Sequence, residues 1–249
     1  MKKWFYGFFM SWGMFLWLPC PFPKWDEEAR REMLVCLPFI GGIIGGLWAL
    51  LLFLLRLVGC PAPLAAVLLA AFPWAMSGFI HLDGFMDVCD AILSRRDLET
   101  RRKILKDPHC GAFAVICLAL LALVSFGVFL SADTEKLLLL PLALIPFASR
   151  ACAGIAVLLI KPMGTSQYSG KVGGKGAYAA ALFVLLAAAT ALPIALYGLR
   201  GLAPAAAAAA YWLCALRGIK GLGGMNGDIS GYALSLGELL GIAVLVLVR

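Results

Sequence analysis

Between His81 and Asp90 the sequence reads HLDGFMDVCD, which places Asp83, Asp87 and Asp90 within eight residues, directly after the apolar run PLAAVLLAAFPWAMSGFI. If the helix of residues 62–81 continues through this block, the three aspartates fall at i, i+4 and i+7 and share about 60° of one face. Like charges at that spacing destabilise a helix unless something cationic stands among them. A divalent metal ion is one candidate. Mg²⁺ takes one or two carboxylates, keeps several waters and accepts substrate phosphate oxygens. Neighbouring arginines are a second candidate, since the stretch 82–110 carries six Lys and Arg. A solvated helix end is the third reading. The interleaved Phe85, Met86, Val88 and Cys89 keep the opposite face apolar, and the acids are therefore expected to point into protein rather than open water.

Other residues join this group by position. Asp107 follows DLETRRKILK, a stretch expected to form a short membrane-surface helix with Asp97–Arg101 and Glu99–Lys103 pairs, ended by Pro108 and Gly111. Asp107 is then either an ordinary loop acid or a fourth member of the cluster. His81 could ligate a metal, position a phosphate or mark the membrane interface, whereas His109 reads as a surface residue. Arg150 lies inside LIPFASRACAGI, where an unpaired charge costs at least about 2.5 kcal/mol, so it needs an anionic partner in the interior. Two loops, Gly164–Gly176 and Gly218–Gly231, combine glycine with lysine and hydroxyl residues. Such backbone can approach phosphate closely. Neither has the order of a P-loop.

The elements that must position these residues are apolar. The 249 residues are 63% hydrophobic and 14% charged, against about 45–50% and about 25% in soluble domains. The charges also fall in a few islands, and the chain reads as an all-α polytopic transmembrane bundle. Apolar stretches lie at about 4–20, 34–55, 62–81, 111–132, 137–160, 177–199, 202–216 and 232–248, which gives about six to eight membrane segments in a single domain, 1–249. The first and seventh are short for a full crossing. The N-terminus lacks a small-residue cleavage site and is kept as mature sequence. The loops 21–33, 82–110, 161–176 and 217–231 hold three, six, three and two Lys or Arg, while the intervening ones hold Arg56, Lys136 and Arg200. That alternation places the rich loops, and the aspartates with them, in the cytoplasm of a cell-membrane protein. It also accounts for the net charge of +7 without a nucleic-acid partner. The eight cysteines have no CxxC spacing and read as small apolar residues.

Taken in order along the chain, LPCPFP, LPFIGGIIG, HLDGFMDVCDA, RRKILKDPHCGAF, Ser149-Arg150, Gly170-Lys171 and GGMNGDISGYALSLGELL resemble the cobalamin synthase family, the adenosylcobinamide-GDP ribazoletransferases. Two positions depart from the family pattern: Ala91 and Ala114 stand where glycine is usual. The resemblance implies a Mg²⁺-dependent transfer from adenosylcobinamide-GDP to α-ribazole or its 5′-phosphate, releasing GMP. It implies Asp83, Asp87 and Asp90 as metal ligands, with Asp107 or Asp228 as a further ligand or base and His81 orienting the cluster. Arg150, Lys171, Asn226 and Gly227 would contact the anionic substrate. The partners implied are these small molecules and the lipid bilayer, with homo-oligomer formation left open. A CDP-alcohol phosphatidyltransferase is disfavoured because Phe85, Met86 and Asp87 replace its D-G-x-x-A-R continuation. A transporter using the acidic cluster is the alternative function, although its charges belong nearer the bilayer midplane.

Overall fold

The computed structural model describes residues 2–164 and 175–248. Among these residues ten α-helices carry the fold: α1 (Lys2–Phe15), α2 (Arg30–Leu57), α3 (Ala62–Met76), α4 (Ile80–Leu93), α5 (Leu98–Ile104), α6 (Ala112–Leu130), α7 (Leu139–Leu159), α8 (Lys175–Tyr197), α9 (Ala203–Leu222) and α10 (Gly227–Leu247). Among the described residues there is no strand, only an isolated bridge between Pro162 and Met225. Helices α2, α6, α7, α8 and α10 are each long and apolar enough to cross a membrane, and the pair α3 and α4 passes the same test together. The chain is therefore multi-pass in character, with five such helices among the described residues, or six if the pair is one span. Of the two apolar stretches read as short, only the first forms a short helix; the stretch 202–216 lies in α9, which has 20 residues. Helix α1 has only 14 residues, and α9 carries Arg217 and Lys220 near its C-terminus.

Helix α7 is the central post. From Ala148 to Ala156 every residue is buried, and α2, α8, α9 and α10 pack around this stretch. All eight cysteines are free, in keeping with their reading as small apolar residues.

One expectation about the backbone is corrected. The helix of residues 62–81 does not continue into the aspartate block; α3 ends at Met76, and α4 leaves it at 91°. Gly78 and Phe79 both have φ of 61°, a left-handed conformation that interrupts the helical hydrogen-bond ladder. For Phe79 that conformation costs about 1–2 kcal/mol. Because α4 restarts at Ile80 and stays regular to Leu93, the three aspartates still share one face. Leu82, Phe85, Val88, Cys89 and Ala91 are buried on the other side.

The short helix α5 is also present, with the Glu99–Lys103 pair at 2.9 Å. The Asp97–Arg101 pair does not form. Asp97 instead caps α5, accepting from the Thr100 N–H at 3.0 Å and the Thr100 hydroxyl at 2.8 Å. Arg101 and Arg102 donate to the carbonyls of Gly221, Leu222 and Gly223, where α9 ends and offers unpaired acceptors.

Candidate active site

The site forms where α4 crosses the start of α10. A side chain at Gly84 would bring its Cβ to 2.8 Å from the Asp228 Cα. Glycine at this position lets the two backbones touch and sets Asp228 beside the aspartate face of α4. The α10 N-terminus is fixed in two ways. The Asn226 side chain caps it by accepting from the Ile229 N–H at 3.0 Å, and Asn226 Nδ2 donates to Asp228 Oδ2 at 2.6 Å. Main-chain bonds from Met163 N to Met225 O (2.8 Å) and from Met225 N to Lys161 O (2.9 Å) tie this turn to the segment leaving α7.

On the other side of α4, Asp90 lies against Gly111, where any Cβ would collide with its carboxylate. This contact brings the Asp107–Gly111 loop to the cluster. Asp83, Asp87, Asp90 and Asp107 together line a cavity of about 290 Å³, shared with Lys106 and His109. A second cavity, of about 430 Å³, lies between α1, α2, α4, α7 and α10, and Asp83, Asn226, Gly227 and Asp228 form its polar edge. Asp83 borders both. It is exposed, while Asp87, Asp90 and Asp228 are half-buried. The acids thus line open clefts, and the expectation that they would be turned into the protein interior holds only for part of the set.

None of Asp83, Asp87, Asp90 or Asp228 forms a salt bridge among the described residues, so the arginines of the 82–110 stretch do not neutralise them. On α4, outside the five spanning helices, burial and then the charges of Asp83, Asp228 and Asp90 push the Asp87 carboxyl up to about 6. Asp107 goes the other way. Its Oδ1 accepts from the His109 N–H at 2.9 Å and stands 2.7 Å from His109 Nδ1, which holds its pKa below the usual carboxylate value. His109 is a surface residue, as read, but one that orients Asp107.

The buried charge of Arg150 has a partner that sequence reasoning did not name. Arg150 Nη1 donates to Glu238 Oε1 at 2.6 Å, and Ser149 Oγ donates to the same oxygen at 2.8 Å. Glu238 lies about two turns into the last apolar stretch, 232–248. The pairing follows from α7 packing against α10. Arg150 and His81 both line the larger cavity, and Arg150 Nε and His81 Nε2 are buried without a hydrogen-bond partner in the structure. The His81 ring stacks on Phe15, with centroids 6.0 Å apart and planes 15° from parallel. Phe15 and α1 are therefore part of the site, a role nothing in the sequence reading assigned. Lys171 and most of the first glycine-rich loop lie outside the described residues.

The residues suit a hard divalent cation in their chemistry. Asp83, Asp87, Asp90 and Asp228 offer carboxylate oxygens that have no ion-pair partner among the described residues. Among the described residues no three His, Cys, Asp or Glu side chains stand together closely enough to hold a metal by themselves. Carboxylate oxygens are the donor type that Mg²⁺ prefers, and that ion completes its shell with water and phosphate oxygens.

Comparison with known proteins finds relatives over almost the whole chain. The model of the cobalamin-5-phosphate synthase family matches residues 7–246. An adenosylcobinamide-GDP ribazoletransferase of Clostridium perfringens (strain 13 / Type A) is 38% identical over 252 residues, covering 98% of this chain and 99% of the relative. One from Clostridium botulinum (strain Alaska E43 / Type E3) is 37% identical over 247 residues, covering 97% of each. One from Lachnoclostridium phytofermentans is 32% identical over 252 residues, covering 98% of this chain and 95% of the relative. No solved structure matches.

Proposed function

The chain belongs to the cobalamin-5-phosphate synthase family and is an enzyme of the ribazoletransferase step of cobalamin synthesis; we propose that it joins adenosylcobinamide-GDP to α-ribazole or its 5′-phosphate, with Mg²⁺, at the inner face of the cell membrane. The observation that carries this reading is Asp83, which borders both the carboxylate-lined cavity and the cavity beside Asp228. Two substrates can meet at that residue.

The acceptor hydroxyl oxygen attacks the phosphorus bearing the cobinamide. A new P–O bond forms, the P–O bond to GMP breaks, and GMP departs with the electron pair. Asp83, Asp87 and Asp90 would hold Mg²⁺, which when bound stabilises negative charge on the phosphoryl oxygens. Asp228 is the better-placed proton acceptor, because it lines the larger cavity with Asp83 and its carboxylate is oriented by Asn226. Asp107 lies in the smaller cavity with Asp87 and Asp90, a position suited to a further ligand, and His109 steadies it. Asn226 and Gly227 present the α10 N-terminus, whose free N–H groups favour phosphate. Lys171, on the glycine-rich loop, is assigned to the anionic substrate on sequence alone, and the loop departs from Lys161–Met163, beside Met225.

The excess of Lys and Arg in the loops that carry these residues supports a cytoplasmic site. The reading is tested with protein reconstituted in liposomes. GMP should appear only when adenosylcobinamide-GDP, α-ribazole and Mg²⁺ are all present. Release from the donor alone at the same rate would make the protein a hydrolase and overturn the reading.

A further inference from the structure

The larger cavity has a composition that distinguishes between the two substrates. Its walls are Met14 and Phe15 from α1, Leu34 and Leu37 from α2, and Ala153 and Val157 from α7. At about 430 Å³ it falls within the range of small-molecule sites, roughly 300–1,000 Å³, which are typically apolar with a few placed polar groups. Those groups are here. Arg150 is 1% exposed, and its Nε, like Nε2 of His81, is buried without a hydrogen-bond partner among the described residues. Burying such atoms unpaired is costly, so the pair calls for a ligand bearing hydrogen-bonding atoms on an apolar frame.

We propose that this cavity receives the flat aromatic base of the acceptor nucleoside and sets its sugar hydroxyl toward Asp83 and Asp228. The assignment rests on the transferase reading given above. The stacked rings of Phe15 and His81 supply an aromatic wall. The Arg150 charge is already met by Glu238, so the interior is not a diphosphate site. The rim carries Asp83 and Asp228, which can accept a hydroxyl hydrogen, beside Asn226 and Gly227 at the α10 N-terminus, where the reacting phosphate would be held. The donor's diphosphate is therefore left to the carboxylate and metal side of Asp83. On this account α1 is a wall of the acceptor site, which explains why a helix too short to span packs closely on α2.

The test is steady-state GMP release with each substrate varied in turn, together with equilibrium dialysis of α-ribazole in the absence of donor and metal. Val157→Phe fills the cavity and Phe15→Ala removes its wall. Each should raise the KM for α-ribazole by about tenfold or more while leaving the KM for adenosylcobinamide-GDP within about twofold. Gly46→Ala, on α2 away from the cavity with nothing within 4 Å of the new Cβ, should behave as wild type. In dialysis, wild type should retain α-ribazole and Val157→Phe should not. A rise in the donor KM instead, or unchanged acceptor KM in both variants, overturns the proposal. If Val157→Phe unfolds early in detergent, Phe15→Ala decides. Failure of wild type to release GMP would count against the transferase reading, and dialysis would still judge the pocket: retention by wild type supports it and no binding overturns it.

Discussion

Arg150 Nη1 and Glu238 Oε1 lie 2.6 Å apart, and their side chains are only 2% and 8% exposed. The pair joins α7 to α10 just beneath the cavity edged by Asp228. Removing one partner leaves the other charge buried, which costs about 3–5 kcal/mol, whereas replacing both with apolar groups of similar volume is often neutral. Glu238→Gln should therefore lower thermal stability in detergent markedly, and Arg150→Met with Glu238→Leu should recover most of the loss. A double variant no better than the single one would show that the pair serves the site more than the fold.

Gly84 is where α4 and α10 touch. Gly84→Ala must displace the Asp228 backbone, 2.8 Å from the new Cβ. Overpacking of this kind costs about 1–3 kcal/mol, and a shift of about 1 Å in an aligned group costs about a hundredfold in rate. Gly46→Ala on α2 meets nothing within 4 Å. It should leave activity intact and slightly raise stability. Comparing kcat and melting temperature for the two variants checks the claim.

The raised pKa of Asp87 has a consequence for pH. With the folded value about 6 against an ordinary 3.8, the protonated form is favoured in the folded state. The associated stability is fully present below about 4 and is lost as pH rises through about 6. Without divalent metal, Asp87→Asn should thus stabilise the protein at pH 7, and the advantage should vanish near pH 4. Adding Mg²⁺ at pH 7 should stabilise wild type more than the variant, measured by thermal melts at each pH.

On the proposed mechanism Asp228 and Asp107 have separate roles. Asp228→Asn should lower kcat by about 10²–10⁴-fold, the usual contribution of a general base. His109→Ala disturbs only the groups that steady Asp107 and should change kcat by less than about tenfold. Single-turnover GMP release provides the comparison, and a larger loss in His109→Ala than in Asp228→Asn would reverse the assignment.

The aspartate face was legible because period 3.6 is a local property, and α4 is regular from Ile80 to Leu93. The bend at Gly78 and Phe79 was not, because a left-handed Phe leaves no compositional mark and the apolar run passes through it unbroken. The need for a partner at Arg150 followed from the cost of burying charge. The identity of that partner, Glu238, depended on which helices pack together. Asp97 shows a local competition: as the residue before α5 it caps the helix through Thr100 instead of pairing with Arg101. Phe15 escaped notice because one aromatic among many near the N-terminus has no distinguishing pattern, and only the stack on His81 identifies it. Ala91 and Ala114, 0% and 2% exposed, occupy packed sites where only a small residue fits.

The central claim is that Asp83, Asp87 and Asp90 hold a divalent cation where two substrates meet. The most direct measurement is GMP release by liposome-reconstituted wild type and Asp83→Ala, each supplied with both substrates, in Mg²⁺ and in excess chelator. Release by wild type only in Mg²⁺, and a loss of at least about a thousandfold in Asp83→Ala at an unchanged melting temperature, is the expected result. Undiminished release in Asp83→Ala, or by wild type in chelator, would contradict it.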